Sequence, residues 1–138
     1  MKFALDVNVA LKWVLQEADS NLAQALRDDF AAGIHELIAP ETFPIEAAHV
    51  LTRTERQGLI TNAGRKLSDI MANAPDLHPY MPLLGRAVDI SRQCRLGVFD
   101  CLYVALAERE GCEIVSADQR MINSLAPHYP FVKHLRDV

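Results

Sequence analysis

Positive charge is scarce in this chain: 14 lysines and arginines stand against 18 aspartates and glutamates, a formal net charge of −4. A protein that holds nucleic acid by bulk attraction needs the opposite balance, so a simple DNA-binding module is disfavoured. A nuclease is not, because bound divalent cations neutralise acids where a phosphate must approach. Cysteine is scarce too. Cys94, Cys101 and Cys112 form an odd set without Cys-x-x-Cys spacing, which argues for reduced, mostly buried thiols and against a disulfide frame or zinc site. No apolar run approaches the length of a membrane span, and Met1-Lys2 leads straight into an expected strand without room for a signal peptide. The expectation is a cytoplasmic protein with no membrane partner.

Several chemistries lack their motifs. The histidines at 35, 49, 78, 128 and 134 never fall at paired ligand spacing. No Gly-x-Ser-x-Gly elbow serves acyl transfer, no glycine-rich loop cradles a nucleotide, and no cysteine has a clear activating partner. What is present is a half-hydrophobic chain of 138 residues, enough for one domain, residues 1–138, with a real core.

Short apolar strands alternate with helical patterns. Phe3-Ala4-Leu5 reads as a buried strand running into Asp6-Val7-Asn8, where a short helix begins. A helix from Ser20 to Ala32 is expected, with Ser20 as N-cap and Gly33 as stop. A strand at His35–Ala39 is closed by Pro40, and a helix spans Thr42–Gln57, with Pro44 in its first turn and Gly58 ending it. Further helices are expected at Thr61–Asn73 and from Pro82 to Arg95, with Leu96-Gly97 as the break and a strand at Asp76–Tyr80 between them. Asp100 then heads a strongly apolar helix ended by Gly111. A strand at Glu113–Ser116, a short helix from Asp118 to Leu125 and a last strand at Phe131–Leu135 complete the chain. The pattern predicts an α/β fold with a short parallel β-sheet flanked by helices on both sides.

Four acids stand out. Asp6 and Asp118 follow strands, where open parallel sheets place their ligands and where a helix N-terminus favours negative charge. Each aspartate taken singly, Asp100 included, has a plainer reading as a helix N-cap. Asp100 strains it, because Tyr103 and Val104 at i+3 and i+4 put its side chain on an apolar face, where an unpaired charge is costly. Glu46, between Phe43 and Val50 on another apolar stripe, cannot be a cap. Its plain alternatives are an edge position or an ion pair with Arg53. Grouped carboxylates repel, and a shared cation relieves them; oxygen-only ligands select magnesium or manganese over zinc. Asn8 and Ser116 are accessory candidates through neutral oxygens. Arg53, Arg56, Arg65 and Lys66 read as solvated helix faces, and Arg120 is the one basic group expected near the site.

Four segments carry a resemblance: Leu5-Asp6-Val7-Asn8, Pro44 to Leu51, Phe99 to Ala107, and Val115-Ser116-Ala117-Asp118. In this order and spacing they resemble the PIN domain family, and within it the VapC-type toxins of bacterial toxin–antitoxin pairs, over essentially the whole chain. Val7 and Phe99 depart from common family choices without touching a ligand position. The resemblance implies that Asp6, Glu46, Asp100 and Asp118 are catalytic and metal-binding, with Asn8 and Ser116 accessory. It implies a ribonuclease using Mg2+ or Mn2+ to hydrolyse single-stranded or looped RNA, leaving a 5′-phosphate and a 3′-hydroxyl. A homodimer and a cognate antitoxin protein are the implied partners. The rivals are a non-catalytic PIN-like interaction scaffold and an aspartate-phosphorylating fold. The latter lacks its second aspartate, since Asn8 stands there, and Lys133 is a poor match for a receiver lysine.

Overall fold

Phe3, Ala4 and Leu5 are all buried, and a short strand covered on both faces belongs in the middle of a parallel sheet. That strand, β1 (Lys2–Leu5), lies between β2 (Glu36–Pro40) and β4 (Glu113–Ser116), with β3 (Asp76–His78) and β5 (Val132–His134) at the margins. The order is β3-β2-β1-β4-β5, and every neighbouring pair runs parallel. This computed structural model describes all residues, 1–138.

The helices are α1 (Val7–Leu11), α2 (Ser20–Ala31), α3 (Phe43–Arg56), α4 (Ala63–Met71), α5 (Met81–Cys94), α6 (Val98–Glu110) and α7 (Gln119–Leu125), with a final 3-10 turn at Leu135–Asp137. The chain walks outward from β1 to β3, then returns across β1 to β4. Right-handed crossovers therefore place α1–α4 on one face and α5–α7 on the other. The reversal falls between β1 and β4, which is where open α/β sheets leave a crevice at their carboxyl ends. Helix α6 is buried without a break from Cys101 to Ala107, so it lies inside the molecule, against α5 and three strands. A single cluster of 35 buried residues joins both faces.

Several boundaries differ from expectation for local reasons. Ser20 does not cap α2; its hydroxyl donates to the Leu15 carbonyl and accepts from the Glu17 N–H, tying down the preceding loop. The N-cap position is Asp19, held at φ 65°. Helix α5 stops at Arg95, itself left-handed at φ 57°, one residue before the expected Leu96-Gly97 break. Helix α6 starts at Val98, so Asp100 stands in its first turn and not at its head. Helix α4 is shorter than the expected Thr61–Asn73, β2 is shifted by about a residue, β3 stops at His78, and β5 is trimmed at both ends to Val132–His134. Gly111 ends α6 at φ 63°, a conformation glycine adopts without penalty.

Candidate active site

Residue pairing across the sheet determines where the acids fall. Leu5 stands opposite Val115 in the β1–β4 ladder, so Asp6 and Ser116 follow on adjacent strands at the same edge. The Asp6 backbone N–H extends the ladder by donating to the Val115 carbonyl at 3.0 Å. Asp6 occupies the N-cap position of α1, yet its carboxylate makes no capping bond. Instead its Oδ2 accepts from the Ser116 hydroxyl at 2.8 Å and from the Asn8 amide at 3.0 Å. Asn8 Oδ1 in turn accepts from the Ala117 N–H, and Ser116 Oγ accepts from the Asp118 N–H. The loop after β4 is thus stitched to the loop after β1 around one carboxylate.

Glu46, in the first turn of α3, is held in a matching way. Its Oε2 accepts from the Thr42 hydroxyl and from the Tyr103 hydroxyl, both at 2.9 Å. In each of these two acids the side-chain donors converge on one oxygen. Asp6 Oδ1 and Glu46 Oε1 receive none, and neither is a sealed, unpartnered atom. The alternative pairing of Glu46 with Arg53 does not form.

The other two aspartates differ from these. Asp100 is half-buried in the first turn of α6 and accepts no hydrogen bond from a side chain. Asp118 is exposed and is a true cap: its Oδ1 accepts from the N–H groups of Arg120 and Met121, so the plain reading of this residue was correct as far as it goes. Arg120 is exposed beside it and pairs with no acid.

The charges act on one another. Burial pushes the Asp6 carboxyl up to about 7, against the lowering pull of the Ser116 hydroxyl, and the charges of Asp100 and Glu46 push it further the same way. Burial likewise raises Glu46 to about 7; the Tyr103 and Thr42 hydroxyls oppose this, and Asp100 adds to it. Asp100 is raised by burial and by the charge of Asp118. Burial and the adjoining charges of Glu46, Asp6 and Asp100 hold the Tyr103 phenol protonated well above its usual range, so it remains a donor.

Tyr103 and Thr42 are the site residues that sequence reading missed. The signal was present for Tyr103: its polar tip lies at i+3 from Asp100 on an apolar face, and a buried phenol requires a partner. Nothing local marked Thr42 as more than the residue before a helix.

No three acidic, histidine or cysteine side chains stand at a spacing that encloses one ion. The donor set nonetheless suits a hard cation. All its atoms are oxygens, and each buried carboxylate keeps one oxygen clear of side-chain donors. Magnesium commonly takes one or two carboxylates and retains several waters, so a closed protein cage is not required.

The fold and these acids define a parallel α/β protein whose switch point carries a group of acids with no ion pair. The chain belongs to the PIN domain family, which matches residues 3–125. PIN domains are generally nucleases, and such nucleases generally use divalent metal. The structure is similar to the crystal structure of PAE2754 from Pyrobaculum aerophilum, with a TM-score of 0.72 at 15% identity, covering 99% of this chain and 85% of that one. At that identity the likeness speaks for the fold alone. No protein of curated function matches the sequence.

Proposed function

We propose that the protein, acting as one domain over residues 1–138, is an endoribonuclease dependent on Mg2+ or Mn2+. Asp6, Glu46, Asp100 and Asp118 are its catalytic acids and metal ligands, and Asn8 and Ser116 are accessory. The observation that carries this reading is the pair Asp6 and Glu46. Both are raised to about 7, both feel the charge of Asp100, and neither has a cationic partner. Burial, with like charge added, makes the ionised forms of both carboxyls costly, and a bound cation would offset that cost.

When bound, the metal supplies an activated water and stabilises the leaving oxygen of an in-line displacement. The chain's own residues do the positioning. Ser116 and Asn8 fix the Asp6 carboxylate through Oδ2, and Thr42 and Tyr103 fix that of Glu46 through Oε2. Water attacks phosphorus, the bond to the 3′-oxygen breaks, and that oxygen leaves as a hydroxyl. The products carry a 5′-phosphate and a 3′-hydroxyl.

The reading extends to a toxin of the VapC type, forming a homodimer and held by a cognate antitoxin protein. Light scattering at micromolar concentration then gives a dimer mass, and a clean monomer removes that part alone. The central test incubates the protein with a pool of cellular RNA, with magnesium or manganese and with chelator. Cleavage that survives excess chelator, or that leaves cyclic phosphate ends, sinks the mechanism. One observation favours the rival reading, a non-catalytic PIN-like scaffold: the acids do not stand at enclosing distance. Absence of cleavage together with absence of metal binding supports that rival.

A further inference from the structure

A groove of about 900 Å³ is lined by Asn8 and Asp118 from the acidic edge and by Lys12 and Lys66. We infer that it seats a single-stranded RNA chain, Lys12 and Lys66 taking the phosphates that flank the one at the acids; this rests on the nuclease reading above. Lys12 Nζ donates to the Ala18 carbonyl at 2.8 Å, and Lys66 Nζ to the Thr61 carbonyl at 3.2 Å. Neither lysine forms an ion pair, whereas Lys2 is paired with Glu36 and Glu110. An ammonium with one bond to a neutral carbonyl keeps two donors and its whole charge for a ligand.

The two lysines come from separate elements, one just after α1 and one within α4, and only the fold brings them to one cavity. Two unpaired ammonium groups in one groove suit successive phosphates of a polyanion. Of the four acids only Asp118 lines the groove, where it offsets one lysine unless a cation is held there. Glu17 also lines the groove and is paired with neither lysine. Leu15, Leu59 and Ile60 supply apolar wall, a surface for unpaired bases that a duplex would keep stacked inside. No aromatic side chain lines it, so base identity is read weakly there. Lys66, which by sequence reads as a solvated helix face, is thereby reassigned.

The test is fluorescence anisotropy of a short labelled oligouridine in calcium, across a salt series, for wild type, Lys12→Gln, Lys66→Gln and the double variant. Counterion release predicts a salt slope lower by about 0.7 for each lysine lost, and at about 0.1 M salt a loss of about fivefold singly and about 25-fold together. Lys12→Arg and Lys66→Arg restore binding, which separates lost charge from a loosened loop. Lys133→Gln, outside the groove, changes nothing, and an RNA duplex binds more weakly than the single strand. Wild-type affinity and slope in the double variant overturn the inference, as does wild type that binds no oligouridine. An amphipathic helical peptide that fills the groove while RNA affinity ignores both lysines overturns it too. Cleavage with lysine-independent binding defeats this inference and spares the nuclease reading; lysine-dependent binding without cleavage in magnesium or manganese does the reverse.

Discussion

The two edges of the sheet treat acidic residues in opposite ways. At the amino edge Lys2 lies 4.0 Å from Glu36 and 3.5 Å from Glu110, and Arg109 lies 3.7 Å from the same Glu110. At the carboxyl edge Asp6, Glu46, Asp100 and Asp118 form no ion pair, although Asp6 is only 2% exposed. The difference teaches where the molecule is balanced within itself and where it is not. Surface pairs such as those of Lys2 contribute little and invite nothing further. A buried carboxylate without a cation is costly in its ionised form, and it is relieved either by a proton, as the rise of Asp6 to about 7 reflects, or by a cation.

The largest effect that separates the edges is on cleavage. Asp6→Asn, Glu46→Gln and Asp100→Asn should each reduce metal-dependent RNA hydrolysis by about 100-fold or more, because several kcal/mol of charge stabilisation depend on the cation. Asp118→Asn, which keeps the cap, should show the least of the four. Glu36→Gln, Glu110→Gln, Asp76→Asn and Asp89→Asn should leave the rate unchanged. Near-normal turnover in Asp100→Asn would break the comparison outright.

Metal should stabilise one edge only. At a free concentration of about 100 times Kd, magnesium should add about 2.7 kcal/mol to wild type, read as a shift between melting curves in chelator and in metal. Asp6→Asn and Asp100→Asn should respond far less, and Glu110→Gln as wild type does. Equal shifts in all of them would place the cation elsewhere.

Tyr103→Phe deletes one hydroxyl that fixes Glu46 without touching any acid. Loss of such an orienting bond typically reduces metal affinity or activity about 10- to 100-fold. Titration calorimetry with manganese measures it directly, and unchanged affinity would make the Tyr103 bond merely a means of satisfying a buried phenol.

A smaller effect concerns pH in chelator. Asp6 and Glu46 rise from ordinary values of 3.8 and 4.5 to about 7 on folding. They bind more protons folded than unfolded, so stability falls as pH climbs from about 4 to about 7 and then levels off. Asp6→Asn should flatten that decline and, above neutrality, be more stable than wild type by about 1 kcal/mol, read as a higher melting temperature. A variant less stable than wild type at every pH would mean that the carboxylate is not strained. Smallest of all, Lys2→Ala at the amino edge should cost about 0.2–1 kcal/mol by denaturant melts and leave metal binding alone.

Periodicity and turn chemistry act over a few residues, and what they control was legible. The apolar run Phe3-Ala4-Leu5, the stops at Gly33, Gly58 and Gly111, and the positions of the aspartates relative to strand ends all follow from the chain's order. They suffice for a parallel α/β class and for a short set of suspicious acids. Some helix boundaries were less legible, since Asp19 before α2 and Arg95 after α5 adopt left-handed conformations that no local rule demanded of them.

Tertiary structure alone decided which polar atoms meet. Ser116 reaches Asp6 across 110 residues and Tyr103 reaches Glu46 across 57, distances in sequence at which propensity carries no information. The strand order places β4 beside β1 and so brings Asp118 to the edge that Asp6 occupies. The groove shared by Lys12 and Lys66 likewise exists only once α1 and α4 lie on the same face. The physical reason is the range of each force. Backbone geometry is fixed by neighbours in the chain, whereas burial and the partners of a buried charge are fixed by neighbours in space.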